Sequence, residues 1–388
     1  MNIQNGSLEK LIAAGQHPIS YLRELRRHRS KKIIGCFPMY VPEELIHAAG
    51  LQPAVLLVDT RMALDVAGIH VQTFFCGQIR ALLELGLRKH MDFLDGMVFG
   101  DICEPVRLLG QIWRREKIPP FTWSIRYPVT INRRRSEEYL HLQFRQLQRG
   151  LEDLSGKKIS QDEMEASIQL YNEVRKLLRD LYAMREEKPG LLSVVDFTRI
   201  CTAAMSIPKE DFKPLAEGLL KTFEKKKAPG LNSRPRVFVW GVCGPPPEEF
   251  LKMIEEEGGT VVMDDLYVGN RYFVRDIRQN NSDPLAALAA FHFEQPPCVT
   301  RNRGVDTDLP RYLLERVERS HSQGVISVLH KYCDALGFEH PIISERLRSR
   351  GIAELCLELD QGVFTGEQTR TRVQAFLEMI GLECGNGK

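Results

Sequence analysis

At 388 residues, with 43% apolar and 27% charged side chains, the chain is long for a single hydrophobic core and has a globular composition, so two compact domains with a connector are expected. Fifty-three Lys and Arg against 51 Asp and Glu leave a net charge of +2, which gives no global field for nucleic acid. No run approaches the roughly 20 apolar residues of a membrane span, and the start MNIQNGSLEKLIAAGQHP lacks the parts of a secretory signal, so the expected compartment is the cytoplasm, with no membrane partner.

In chain order, the first third alternates short apolar runs with helical patterns: KKIIGCF, PEELIHAAG, LQPAVLLVD, then DGMVFGD followed by PVRLLGQIWRR. This is the rhythm of βαβ units and a parallel sheet, and it predicts an N-terminal α/β lobe over 1–135. Pro42, Glu43 and Glu44 open one of these helices with acids in the first turn, which complements the helix dipole. From 136 to 230 the pattern becomes long and charged with apolar residues at helical spacing, as in EEYLHLQFRQLQRGLEDL and MEASIQLYNEVRKLLRDLYAMREE, and predicts a helical connecting segment. The prolines and glycine of APGLNSRP break it. A C-terminal α/β lobe is expected over 231–388, from RVFVWGV, EEFLKMIEEEGG, TVVMDD, GVISVLHK, HPIISERLRSRG and AELCLELD. The fold class is α/β: two Rossmann-like, flavodoxin-like parallel-sheet lobes with helices between them.

Nine cysteines, an odd number without a secretory context, favour free thiols or metal ligands over a disulfide framework. Open parallel sheets bind ligands at the carboxyl ends of their strands, where helix N-termini face the crevice. Cys103 follows DGMVFG and precedes Glu104-Pro105, with Pro105 suited to a first helical turn. Cys333 follows GVISVLHK in the second lobe and precedes the turn DALGFEHP, and Cys76 opens the amphipathic GQIRALLELGL. A thiolate at a helix N-terminus is stabilised by the dipole, and three cysteines from separate elements suit an iron–sulfur cluster with one iron left open. Position alone leaves alternatives: there is no C-x-x-C, buried structural cysteines are common, and Cys36 and Cys243 also lie near strand ends. Cys201, Cys298 and Cys384 fall in helical or less ordered contexts, and Cys356 reads as a packed strand thiol.

The pieces GCFPMYVPEELIHAAGLQPAVL, FCGQIRALLEL, DICEPVRLLGQIW, DDLYVGNRYF, SVLHKYCD and TRTRVQAFLEMI, in that order over nearly the whole chain, resemble the benzoyl-CoA reductase and 2-hydroxyacyl-CoA dehydratase family. The resemblance implies one of a pair of related catalytic subunits, holding a 4Fe-4S cluster on Cys76, Cys103 and Cys333 with one open iron site, and leaves Cys36 and Cys243 outside the set. These three sulfurs are then expected to converge between the lobes. The resemblance also implies partners: the related second subunit, an ATP-hydrolysing iron–sulfur activator, ferredoxin or a similar reductant upstream, and an acyl-CoA substrate. The implied chemistry is low-potential, single-electron reduction of the thioester-conjugated substrate to a ketyl-like radical anion. DDLYVGNRYF and the C-terminal half look more like the smaller catalytic subunit of ATP-dependent benzoyl-CoA reductases, which degrade aromatic rings anaerobically, than like a dehydratase subunit.

Two further readings stay beside this one: a 2-hydroxyacyl-CoA dehydratase subunit, and a non-catalytic, cluster-holding electron-transfer subunit. No G-x-x-x-x-G-K-[ST] loop supplies an ATPase here, and no G-x-G-x-x-G follows an expected strand. The runs Arg26-Arg27-His28-Arg29 and Arg133-Arg134-Arg135 are either solvated faces or sites for coenzyme A phosphates. Asp264 and Asp265 end a strand, where they either cap a loop or handle protons. His330 and Tyr332 flank Cys333, as core residues or as neighbours that tune the site.

Overall fold

The computed structural model describes residues 3–29, 31–58, 62–130, 134–227, 234–241, 244, 246–279, 282–301, 309–359 and 366–385. The chain begins with helices α1 (Ile3–Gln16) and α2 (Pro18–His28), then runs through β1 (Ile33–Phe37), α3 (Glu43–Ala48), β2 (Gln52–Val55), α4 (Ala67–His70) and α5 (Gly77–Leu87). The first sheet is completed by β3 (Gly96–Asp101), α6 (Glu104–Glu116) and β4 (Phe121–Arg126). Four helices follow: α7 (Arg134–Ser155), α8 (Gln161–Glu187), α9 (Val194–Ser206) and α10 (Lys209–Glu224). The second sheet is laid down by β5 (Arg236–Gly241), α11 (Glu248–Glu256), β6 (Thr260–Asp265), α12 (Asn270–Phe273), α13 (Pro284–Glu294) and α14 (Leu309–Arg319). The chain closes with β7 (Gly324–His330), α15 (Asp334–Ser349), β8 (Ala353–Leu359) and α16 (Gly366–Gly385).

Both sheets are four-stranded and parallel, in the orders β2-β1-β3-β4 and β6-β5-β7-β8. The fold is therefore α/β with two lobes of identical strand order. In each lobe the second strand lies on one side of the first and the third on the other, which puts a topological switch point between β1 and β3, and between β5 and β7. The apolar runs form the inner strands because both faces of a helix-covered sheet are dry: every residue of β1, β3 and β7 is buried. Glycine is obligatory where β5 ends, since Gly241 has φ +128° and a Cβ there would lie 1.9 Å from the Val328 carbonyl oxygen.

Two elements differ from the sequence reading. Strand β4 is not marked by any run singled out in the sequence; it is an edge strand, its first four residues half-buried, with Phe121 and Trp123 stacked at 6.2 Å. The stretch DALGFEHP is the first half of α15 rather than a turn. Pro341 forfeits the helical bond to the Gly337 carbonyl, at a cost of about 3 kcal/mol in a helix interior. The burial of Leu336, Ile343 and Leu347 outweighs it.

The connecting helices tie the lobes together. Ser160 and Glu163 form a capping box that starts α8, and α9 is buried along almost its whole length. Helix α1 packs on α9 so closely that a Cβ on Gly15 would lie 1.9 Å from the Arg199 carbonyl oxygen.

Candidate functional site

The three cysteines singled out in the sequence occupy equivalent local positions. Cys76 is the N-cap of α5, Cys103 of α6 and Cys333 of α15, all half-buried and all free thiols. Cys103 follows β3 and Cys333 follows β7, so each stands beyond the carboxyl end of its lobe's third strand, beside the switch point.

The thiols from both lobes lie within electrostatic reach of one another. Burial pushes the Cys76 thiol up to about 12; the N–H groups of Ile79 and Gln78 oppose this, while Cys333 and Cys103 add to it. Burial likewise raises Cys103 to about 11, against the Val106 N–H and together with Cys333. Cys333 is raised by burial against the N–H groups of Leu336 and Ala335, with Asp334 and Cys298 adding to the rise. Burial and mutual repulsion both favour the protonated forms of these thiols. A metal group reverses that balance, because coordination deprotonates a thiol outright and the helix N-termini favour the resulting anions. Among the described residues no three His, Cys, Asp or Glu side chains are arranged to hold a single metal ion. A four-iron cluster binds each cysteine through a different iron, so it asks for a wider spread of sulfurs than one ion does.

His330, at the end of β7, is buried with no partner on Nε2, and burial lowers it to about 4, so it is neutral near pH 7. Tyr332 has φ +64° and an exposed side chain. His330 and Gln78 line an open cleft of about 510 Å³ that also touches His17, Arg199 and Glu248. Cys36 and Cys201 are fully packed core thiols, Cys356 is a half-buried strand residue, and Cys243 lies outside the described residues. Cys384 belongs to α16, and its side chain is likewise outside the described residues.

The paired acids are locked rather than free. Glu43 accepts from Lys209 Nζ at 3.1 Å and from the Tyr272 hydroxyl at 3.0 Å, and Glu44 is bonded to Arg175; all four charged groups are buried. Dipole complementation is thus a minor part of what these acids do, for they bind the first lobe to α8, α10 and α12. Asp264 accepts from Tyr182 and from the N–H groups of Leu266 and Asn270, and Asp265 takes two bonds from Arg271 at 3.0 and 2.6 Å. Of the basic runs, Arg26 pairs with Asp95 and Arg29 with Asp211. Arg133 lies outside the described residues.

Sequence reasoning passed over Lys209, one lysine in a charged helix; only the fold shows that it is 2% exposed.

Residues 38–380 match the family model described as 2-hydroxyglutaryl-CoA dehydratase, D-component. The C-type subunit of the benzoyl-CoA reductase of Thauera aromatica is 29% identical over 355 residues, covering 91% of this chain and 92% of that one. The (R)-phenyllactyl-CoA dehydratase beta subunit of Clostridium sporogenes is 27% identical over 378 residues, covering 94% and 96%. The lactoyl-CoA dehydratase beta subunit of Anaerotignum propionicum is 24% identical, covering 96% and 98%. With a match that spans most of the chain and all three cap cysteines, the chain belongs to the 2-hydroxyglutaryl-CoA dehydratase D-component family.

Proposed function

We propose that this chain is an iron–sulfur subunit of an ATP-dependent benzoyl-CoA reductase, serving low-potential single-electron reduction of the aromatic ring of benzoyl-CoA to a cyclohexadiene-carbonyl-CoA. The observation that carries the reading is that Cys76, Cys103 and Cys333 each cap a helix and interact electrostatically across the two lobes, with Cys103 and Cys333 beyond the ends of β3 and β7. Cys76, Cys103 and Cys333 would hold a 4Fe-4S cluster, leaving one iron without a protein ligand. When bound, such a cluster passes single electrons at low potential. The chain's own part is to keep the crevice dry, to point helix N-termini at the sulfurs, and to keep His330 neutral behind Cys333.

The proposal includes the partners: a related second subunit, an ATP-hydrolysing activator and a reductant such as ferredoxin. Exposed apolar side chains lie close in the chain to two of these cysteines, Ile69 and Phe74 before Cys76 and Tyr332, Phe338 and Ile342 about Cys333, and we assign them to the contact with the second subunit. No helix among the described residues is long and apolar enough to cross a membrane, and seven described cysteines are unpaired, in keeping with a cytoplasmic site of action.

Two other readings have support of their own. Dehydratase beta subunits at 27% and 24% identity favour radical removal of water from a 2-hydroxyacyl-CoA. The acids and arginines around a small, partly open pocket of about 60 Å³, among them Glu43, Glu44 and Arg271, are already paired within the chain. That favours an electron-relaying role, with acyl-CoA left to the partner.

The deciding experiment is anaerobic purification with the related subunit, iron and sulfide analysis, electron paramagnetic resonance, and turnover of benzoyl-CoA against (R)-phenyllactyl-CoA with activator and reductant added. Loss of iron in Cys103→Ala together with wild-type reduction of benzoyl-CoA is the expected result. Dehydration of phenyllactyl-CoA alone moves the chain to the dehydratase branch, and iron retained in Cys103→Ala removes that residue from the ligand set. Acyl-CoA binding by this chain without its partner would count against the relay reading.

A further inference from the structure

The open cleft of about 510 Å³ at His330 has the size of a small-molecule site. The first lobe lends it the start of α2 and the residues after β2, the connecting helices lend α9, and the second lobe lends the start of α11 and the end of β7. It therefore exists only where the two lobes come together. His330 is 8% exposed in it, and its Nε2 has no bonded partner. A buried ring nitrogen of this kind is an anchoring point for a ligand, since pairing it removes a desolvation cost.

Two further features describe what the cleft accepts. Helices α2 and α11 both begin at it, and neither has a side-chain cap. The N–H groups of a first helical turn have no partner within the helix, so the cleft presents donors to an acceptor. The charges favour a neutral occupant. Arg199 is held by Glu248 through bonds of 2.9 and 2.6 Å, and Glu249 follows at the exposed edge. An anion thus meets two carboxylates, and a cation meets Arg199 and two helix N-termini. Ile19, Leu57, Pro246 and Pro247 add apolar surface. An uncharged chain that alternates carbonyls with alkyl segments satisfies all of these conditions.

The buried lining residues Gln78 and His330 belong to the segments that carry two of the cap cysteines. Gln78 is two residues beyond Cys76, and the Cys333 N–H bonds to the His330 carbonyl at 3.0 Å. We propose that this cleft binds an uncharged chain bearing amide or thioester carbonyls, anchored on His330 Nε2, and leads it to the segments that carry Cys76 and Cys333. The pantetheine arm of an acyl-CoA has this chemistry, so the inference rests on the acyl-CoA reading and opposes the relay one.

The test is hydrogen–deuterium exchange and isothermal titration calorimetry on the assembled enzyme, under anaerobic conditions, with S-benzoylpantetheine, which lacks the nucleotide and its phosphates. Expected is slower exchange in the first turns of α2 and α11 of this chain. The affinity should fall at least about tenfold in His330→Phe and in Ser20→Trp, which crowds the cleft, and most of it should return in His330→Gln, which restores a polar group. Ser20 is exposed, so its variant keeps the fold. Wild-type affinity in both Ser20→Trp and His330→Phe overturns the proposal. Turnover of benzoyl-CoA with unchanged exchange at α2 and α11 overturns the cleft assignment alone. Slower exchange there without turnover of any acyl-CoA upholds the cleft and brings down the reductase and dehydratase readings, so the two failures are told apart.

Discussion

Replacing Lys209 by Met tests whether the first lobe is held by a buried ion pair. The Met side chain keeps the packing of the lysine stem, which is 2% exposed, and removes the ammonium that meets Glu43 Oε2 at 3.1 Å. At that separation and an effective dielectric of about 20 the attraction is about 5 kcal/mol. Removing one partner of a buried pair typically costs about 3–5 kcal/mol, because the other charge stays buried. Glu43 retains only the Tyr272 hydroxyl and the repulsion of Glu44. Its carboxyl is already raised by burial despite Lys209, so its folded value lies above the unfolded one of about 4.3. Stability from such a group is fully present below the unfolded value and is lost as pH rises through the folded one. Without Lys209 the folded value climbs further. Denaturant unfolding of Lys209→Met should therefore show a loss of about 3–5 kcal/mol at pH 8 that shrinks towards pH 5, and adding Glu43→Gln should abolish the pH dependence. A loss below about 1 kcal/mol at pH 8, or an equal loss at both pH values, would refute the reasoning.

Phe338→Asp, at a position 80% exposed, should leave the unfolding midpoint unchanged but cut co-purification of the second subunit at least about tenfold; undiminished co-purification would remove α15 from the interface. Gly15→Ala should destabilise the chain by about 1–3 kcal/mol or more, because α1 must withdraw from the Arg199 carbonyl, and thermal unfolding reads the effect. The His47 ring holds Glu210 down to about 2, so the stability this pair contributes is present above pH about 4.3 and lost as pH falls towards 2. Glu210→Gln should flatten that part of an acid-unfolding curve and lower stability at pH 7 by the same amount, a small one because Glu210 is half exposed.

What could be read from sequence is what local chemistry dictates. Apolar runs such as GVISVLHK give the inner strands, because a covered parallel strand is apolar on both faces, and the strand-to-helix position of Cys103 is visible in DICEP. What could not be read depends on residues far apart in the chain. Glu43 and Glu44 begin a helix in ordinary fashion, and only the fold brings Lys209 and Arg175 to them across 166 and 131 residues. The cleft at His330 lacks any local signal, since its lining comes from α2, α9 and α11 as well as β7. Strand β4 escaped notice because an edge strand needs only partial burial.

The two lobes share one strand order, and each puts a thiol after its third strand, yet neither lobe alone can assemble the site. Cys76 and Cys103 come from the first lobe and Cys333 from the second, so the proposed cluster site depends on how the lobes are fixed. That placement is set in the interior. Tyr272 reaches from the second lobe to Glu43, Arg301 lies over Tyr40, and Gly244 approaches Gln78 so closely that a Cβ would come within 2.6 Å of its side chain. Gln78 is two residues beyond Cys76, and Tyr40 follows the strand that adjoins β3. The contacts that hold the lobes in register thus include neighbours in sequence of the groups proposed to form the site. A substitution such as Lys209→Met, remote in sequence from the three cap cysteines, should loosen their relative placement as well as the fold.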